Sequence, residues 1–65
     1  MDMVLQTPDY IYIFEFKLDE TADVALRQIE TRGYAKPFSA DPRQLYKIGV
    51  SFSSQTRDIA DWKVE

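Results

Sequence analysis

Glu15 and Lys17 interrupt an otherwise apolar run from Tyr10 to Leu18. Two positions apart on a strand, they project from the same face, where charges are uncommon. Asp2 lies upstream, beyond a Thr7, Pro8, Asp9 turn signal. With Pro8 and Asp9 as the central turn residues, Thr7 faces Tyr10, Gln6 faces Ile11, Val4 faces Ile13, and Asp2 faces Glu15. Two carboxylates so placed repel unless something positive lies between them, and a divalent cation with oxygen ligands is the usual remedy. Lys17 would stand beside that cation. Such a set suits metal-assisted phosphodiester hydrolysis: carboxylates hold Mg²⁺ or Mn²⁺, a bound water is acidified, and an ammonium steadies the attacking hydroxide and the charge building on phosphorus. Two plainer readings stand beside this one. A one-residue slip puts Asp2 on the face opposite Glu15, and a strand that emerges into solvent after Phe14 leaves Glu15 and Lys17 as a solvated charged end. An Asp followed by Glu-x-Lys is, as a pattern, common enough to arise by chance.

The elements that must position these residues follow from periodicity. Residues 1 to 6 and 10 to 18 read as two strands of a hairpin, and the second, apolar at every position from Tyr10 to Phe14, has the pattern of a central strand covered on both faces. Asp19 or Thr21 can cap a helix from Thr21 to Arg32, with Ala22, Ala25, Leu26 and Ile29 at helical spacing and Gly33 as its stop. Tyr34 to Phe38 can add a turn that Pro37 interrupts, and Ala40 to Arg43 is a loop. Then Tyr46, Ile48, Val50 and Phe52 alternate with Lys47, Gly49, Ser51 and Ser53, and after a polar turn from Ser54 to Arg57 a last strand sets Ile59, Asp61 and Lys63 opposite in orientation to Ala60, Trp62 and Val64. The order is strand, strand, helix, strand, strand. A helix between the second and third strands fits a crossover, so those two should be parallel in a mixed sheet, an α/β (α+β) arrangement. One helix covers one face. The other face, carrying some of Tyr10, Tyr12, Phe14, Tyr46 and Phe52, then lacks a partner, which predicts either a fragment of a larger domain or a homodimer.

Composition narrows the function classes. Sixty-five residues make a single domain, 1–65, and a chain of that size buries only about 60% of the surface its unfolded form exposes. There is no cysteine and no histidine, which excludes a disulfide scaffold, a thiolate zinc site, and serine-histidine or cysteine-histidine hydrolysis. No apolar run approaches a membrane span and no basic, apolar leader opens the chain, so a cytoplasmic protein with no membrane partner is expected. A net charge of −3 argues against a free-standing electrostatic nucleic-acid binder. Lys36, Arg43, Lys47, Arg57 and Lys63 are scattered, and no Gly-rich phosphate loop is present. Trp62, Tyr34, Tyr46 and Phe52 read as packing residues rather than base-stacking platforms.

Asp2-Met3-Val4-Leu5, the hairpin, and then Tyr12-Ile13-Phe14-Glu15-Phe16-Lys17-Leu18-Asp19 resemble the core of the PD-(D/E)XK nuclease superfamily. Ala25-Leu26-Arg27-Gln28-Ile29, Gly33-Tyr34, Lys47-Ile48-Gly49-Val50-Ser51-Phe52-Ser53, Arg57 and Trp62 further resemble a C-terminal nuclease-like domain fused behind an AAA-type ATPase-like domain in Bacteroidetes proteins. The resemblance spans essentially the whole chain. It implies a restriction-endonuclease-like core, Mg²⁺ or Mn²⁺ as cofactor, nucleic acid as substrate with DNA preferred over RNA, and an ATPase-like domain in the parent chain. Asp2 then corresponds to a metal-binding aspartate, Glu15 to the second metal ligand, the Phe16 carbonyl to a further ligand, and Lys17 to the catalytic lysine. Gln28 resembles a glutamine that some branches place at the mouth of the site. Those branches carry a tyrosine four residues later, where this chain has Arg32, and Tyr34 comes two residues beyond. The superfamily core also begins with a helix and a strand ahead of the aspartate, so the resemblance implies an N-terminally truncated fragment whose isolated activity is open. The rival reading is a catalytically inactive module that keeps the fold as an interaction or specificity domain beside an ATPase.

Overall fold

The computed structural model describes residues 2–65, and the expectation for Met1 lies outside them. β1 (Asp2–Gln6) and β2 (Tyr10–Leu18) form the hairpin, α1 (Ala22–Thr31) follows, a 3-10 turn covers Lys36–Phe38, and β3 (Gln44–Ser53) and β4 (Asp58–Val64) complete the chain. The sheet order is β1-β2-β3-β4, with β2 and β3 parallel and the outer pairs antiparallel. This is the mixed sheet and crossover that the sequence predicts.

The β1–β2 turn is closed by Thr7, whose backbone N–H donates to the Tyr10 carbonyl and whose hydroxyl accepts from the Tyr10 N–H at 2.9 Å. That turn sets the register, and the Cα partners are Gln6 with Ile11, Val4 with Ile13, and Asp2 with Glu15. The slipped alternative is thereby removed.

Thr21, rather than Asp19, caps α1: its hydroxyl accepts from the Val24 N–H at 3.2 Å. Asp19 takes a left-handed backbone (φ 57°) and its carboxylate accepts from the backbone N–H and hydroxyl of Ser54, tying the end of β2 to the β3–β4 turn. At the other end Gly33 (φ 66°) stops the helix. Its N–H reaches the Glu30 carbonyl while the Tyr34 N–H reaches that of Ile29, a Schellman closure that folds Tyr34 back toward the helix end. Pro37 does not interrupt the next turn. It sits at its start, where a missing N–H costs nothing.

The core lies between α1 and one face of the sheet: Ile11 and Ile13 pack with Leu26 and Ile29, flanked by Tyr34, Ala35, Phe38 and Leu45. Gly49 lets the helix approach, since a Cβ there would stand 2.4 Å from the Ala22 carbonyl oxygen and 3.1 Å from the Ala25 Cβ. The helix lies over β2, β3 and β4 but does not reach β1.

The opposite face corrects one expectation and fulfils another. β2 is an inner strand, yet only its helix-facing residues are buried; Tyr12, Phe14 and Phe16 are half-buried and Tyr10 is exposed. Rings cluster along it, with Tyr12 stacked on Tyr46 at 5.7 Å and Phe14 on Phe16 at 6.0 Å. Trp62, read from the sequence as packing, stands 63% exposed on this face, because no second layer covers it among the described residues. The alternation of β4 is also broken. Asp61 pairs with Ser51 but Ile59 pairs with Phe52, so Ala60 is the extra residue of a bulge and Ile59 falls on the open face with Trp62 instead of with Asp61 and Lys63.

Candidate functional site

Glu15 is the charged residue that the fold treats most unusually. It follows Ile11 and Ile13 on the helix-facing side of β2 and is 0% exposed, among the largest fully buried side chains in the molecule. A solvated strand end is therefore excluded. Burying a carboxylate is costly unless a cation lies near, and Lys17 supplies one: its Nζ stands 3.9 Å from Glu15 Oε1, with its side chain 22% exposed. The ammonium thus reaches from solvent to a buried acid.

Asp2, directly opposite on β1, is exposed because α1 stops short of that strand. Facing residues of an antiparallel pair hold their Cβ atoms about 4.5–5.5 Å apart. That register sets two carboxyl-bearing side chains, one buried and one exposed, on the same face, and carboxylate oxygens are the ligand type that hard divalent cations take. Among the described residues no group of three His, Cys, Asp or Glu side chains gathers around a common point, so a third ligand from this chain would have to be backbone, as the Phe16 carbonyl would be.

Gln28 comes to the same place. With Lys17, Val24, Arg27, Thr31 and Arg32 it lines an open groove of about 320 Å³ between α1 and the end of β2. Positions 24, 27, 28 and 31 form one stripe of the helix. In the sequence Arg32 is the end of the helix and stands where some branches carry a tyrosine. The structure gives it a partner instead: its Nη1 donates to the Tyr34 hydroxyl at 3.2 Å. The Arg32 guanidinium is held above its ordinary range first by that hydrogen bond and the phenol oxygen's charge, then by the carboxylates of Glu15 and Asp2. The signal that could have found it is its i, i+4 spacing from Gln28 with a glycine stop immediately after.

Three of the scattered cations are engaged elsewhere. Lys63 pairs with Asp23 at 2.8 Å, Lys47 with Glu30, and Arg43 with Asp41 at 2.7 Å, and the Ser51 hydroxyl donates to the Glu20 carbonyl behind the site. These contacts hold α1 and the loops onto the sheet.

Comparison with known proteins shows the family. Residues 1–62 match the family model described as the PD-(D/E)XK nuclease superfamily. An "Uncharacterized protein in vnfD 5'region" of Azotobacter chroococcum mcd 1 is 34% identical over 67 residues, covering all of this chain and 13% of that protein. The chain therefore spans about an eighth of the relative it matches. No solved structure matches. The chain belongs to the PD-(D/E)XK nuclease superfamily, whose members generally use divalent metals on nucleic-acid substrates.

Proposed function

We propose that this member of the PD-(D/E)XK superfamily carries the metal-binding half of a nuclease site, in which Asp2, Glu15 and the Phe16 carbonyl hold Mg²⁺ or Mn²⁺ for hydrolysis of a nucleic-acid phosphodiester. The observation that carries the reading is the pairing of Asp2 with the fully buried Glu15, and Lys17 at 3.9 Å from that carboxylate. When bound, the metal would supply Lewis-acid polarisation of the phosphate and a more acidic water. Glu15, buried and backed by the core, fixes one ligand direction, while exposed Asp2 leaves the opposite side open to substrate. Lys17 bridges the buried acid and solvent, where its ammonium can orient the attacking water and offset charge on the phosphoryl oxygens. Gln28, at the groove, is placed to orient the substrate beside Lys17.

DNA is the favoured substrate over RNA, and an ATPase-like domain in a parent chain, as in the AAA-fused proteins of Bacteroidetes, and a second copy on the open sheet face are the partners this reading carries. No helix among the described residues is long and apolar enough to cross a membrane, and a cytoplasmic setting belongs to the same proposal.

The test is thermal unfolding with Mn²⁺ and Mg²⁺ on wild type and Glu15→Gln. A ligand held only by the folded state stabilises it by about 2.7 kcal/mol at a hundred times its Kd. A rise in Tm with Mn²⁺ that disappears in Glu15→Gln supports the site. Undiminished cleavage by a parent protein carrying Glu15→Ala would sink it. A second reading is favoured by the two-carboxylate donor set among the described residues: a catalytically inactive module that keeps the fold as an interaction or specificity domain. Metal separates the two, since that module shows no Mn²⁺ response in either protein.

A further inference from the structure

The groove between α1 and the end of β2 differs in charge from the rest of the molecule. Lys17, Arg27 and Arg32 line it, three of the eight Lys and Arg residues of a chain whose net charge is −3, and no Asp or Glu is among the lining residues. Among the described residues, Arg27 and Arg32 take part in no ion pair, whereas Arg43, Lys47 and Lys63 are each spent on an acid. Lys17 is shared with Glu15, so the groove keeps two arginines, Arg27 and Arg32, that pair with no acid among the described residues.

Arg32 is also pre-set. The left-handed turn at Gly33 brings Tyr34 back so that its hydroxyl accepts from Arg32 Nη1, which restrains one edge of the guanidinium. Arg32 lines the same groove as Lys17, at the C-terminal end of the helix. Arg27 lies on the helix stripe with Val24, Gln28 and Thr31, farther along the groove. Guanidinium groups with free N–H donors suit phosphate oxygens, and the Gln28 side-chain amide adds a neutral donor between them, whereas the Thr31 hydroxyl already donates to the Gln28 carbonyl.

We infer that this groove holds the nucleic-acid backbone next to the bond being cut, with Arg32 and Arg27 contacting phosphates that flank the scissile one. The inference rests on the nuclease reading for its direction, since the groove begins at Lys17. Repulsion from the rest of the acidic surface is screened beyond about 10 Å at 0.1 M salt, so a local cationic groove can act despite the net charge. The contacts read phosphate and not base, and the groove is therefore indifferent to sequence.

The experiment is fluorescence anisotropy of a labelled DNA duplex in EDTA, with wild type, the double variant Arg27→Ala/Arg32→Ala, and Arg57→Ala in the β3–β4 turn as a distant control. EDTA takes cleavage and metal bridging out of the readout. Losing phosphate contacts should weaken binding about tenfold across sequences and reduce the slope of log K against log salt by about 0.9 for each arginine, with Arg57→Ala unchanged. Wild-type affinity and slope in the double variant, a loss equal to that of Arg57→Ala, or no binding by wild type would each overturn the assignment. The metal reading is scored separately by the Mn²⁺ rise in Tm, which the double variant should retain because both arginines are exposed and neither is a proposed ligand. That rise also shows the double variant to be folded.

Discussion

At the residue scale, two charged groups are held in place by different means. Glu15 is placed by strand register and core packing, so its direction does not depend on solvent, while the half-buried Lys17 reaches from the groove to that acid. Lys17→Ala should therefore keep the Mn²⁺-dependent rise in Tm yet lower cleavage by about a hundredfold or more, the usual cost of losing a group that stabilises transition-state charge. A variant that loses both would make Lys17 a structural partner of Glu15 instead. Arg43 is the second case. Its guanidinium donates to both oxygens of Asp41, to the Thr7 carbonyl at 3.1 Å and to Gln6 Oε1 at 2.9 Å, pinning the β1–β2 turn to the loop before β3. Hydrogen bonds from the Arg43 side chain, then from its backbone N–H, lower the Asp41 pKa from 3.8 to about 2. Asp41 thus favours the folded state above pH 3.8 and loses that contribution as pH falls toward 2. Acid unfolding of Asp41→Asn, followed by circular dichroism, should lack that part of the pH dependence, with a lower Tm at neutral pH.

At the element scale, the site depends on how closely α1 meets the sheet. Gly49 is the contact point, and Gly49→Ala should destabilise by about 1–3 kcal/mol because the added methyl meets the backbone of Ala22, which cannot swing aside as a side chain would. Thr21→Ala removes the helix cap and should cost about 1 kcal/mol in urea unfolding. Both changes should also reduce activity where it is measured, since Gln28, Arg27 and Arg32 ride on this helix. Helix limits, the hairpin register and the parallel β2–β3 pairing were legible in the sequence because capping, turn chemistry and crossover geometry are local or topological. The bulge at Ala60 was not: nothing in Ile59, Ala60 and Asp61 marks which residue the ladder with Phe52 and Ser51 will leave out. Trp62 was misread for a related reason, since period-two spacing places it on a face but does not say whether that face is covered.

At the scale of the whole molecule, one face of the sheet is finished and the other is not. Met3, Leu5, Tyr12, Phe14, Phe16, Tyr46, Phe52, Ile59, Trp62 and Val64 share the open face by register, an apolar surface larger than soluble monomers usually leave bare. The chain on its own should therefore self-associate as concentration rises, seen by light scattering, and Trp62→Lys should suppress this with little loss of stability, since that side chain is already exposed. A monomer at high concentration would argue against both a second copy and a missing layer on this face.

The placing of Glu15 and Lys17 on one face was determined by the sequence alone, because a strand alternates with a period of two; the turn pointed to the pairing of Asp2 with Glu15, and the ladder itself removed the slipped register. Tertiary structure decided what those charges experience. The packing of α1 across β2 buries the face that carries Glu15, the Schellman turn at Gly33 brings Tyr34 to Arg32, and Arg32 and Lys17, 15 positions apart in the chain, line one groove. Burial and charge clustering of this kind are sums over neighbours distant in sequence, and no local pattern encodes them.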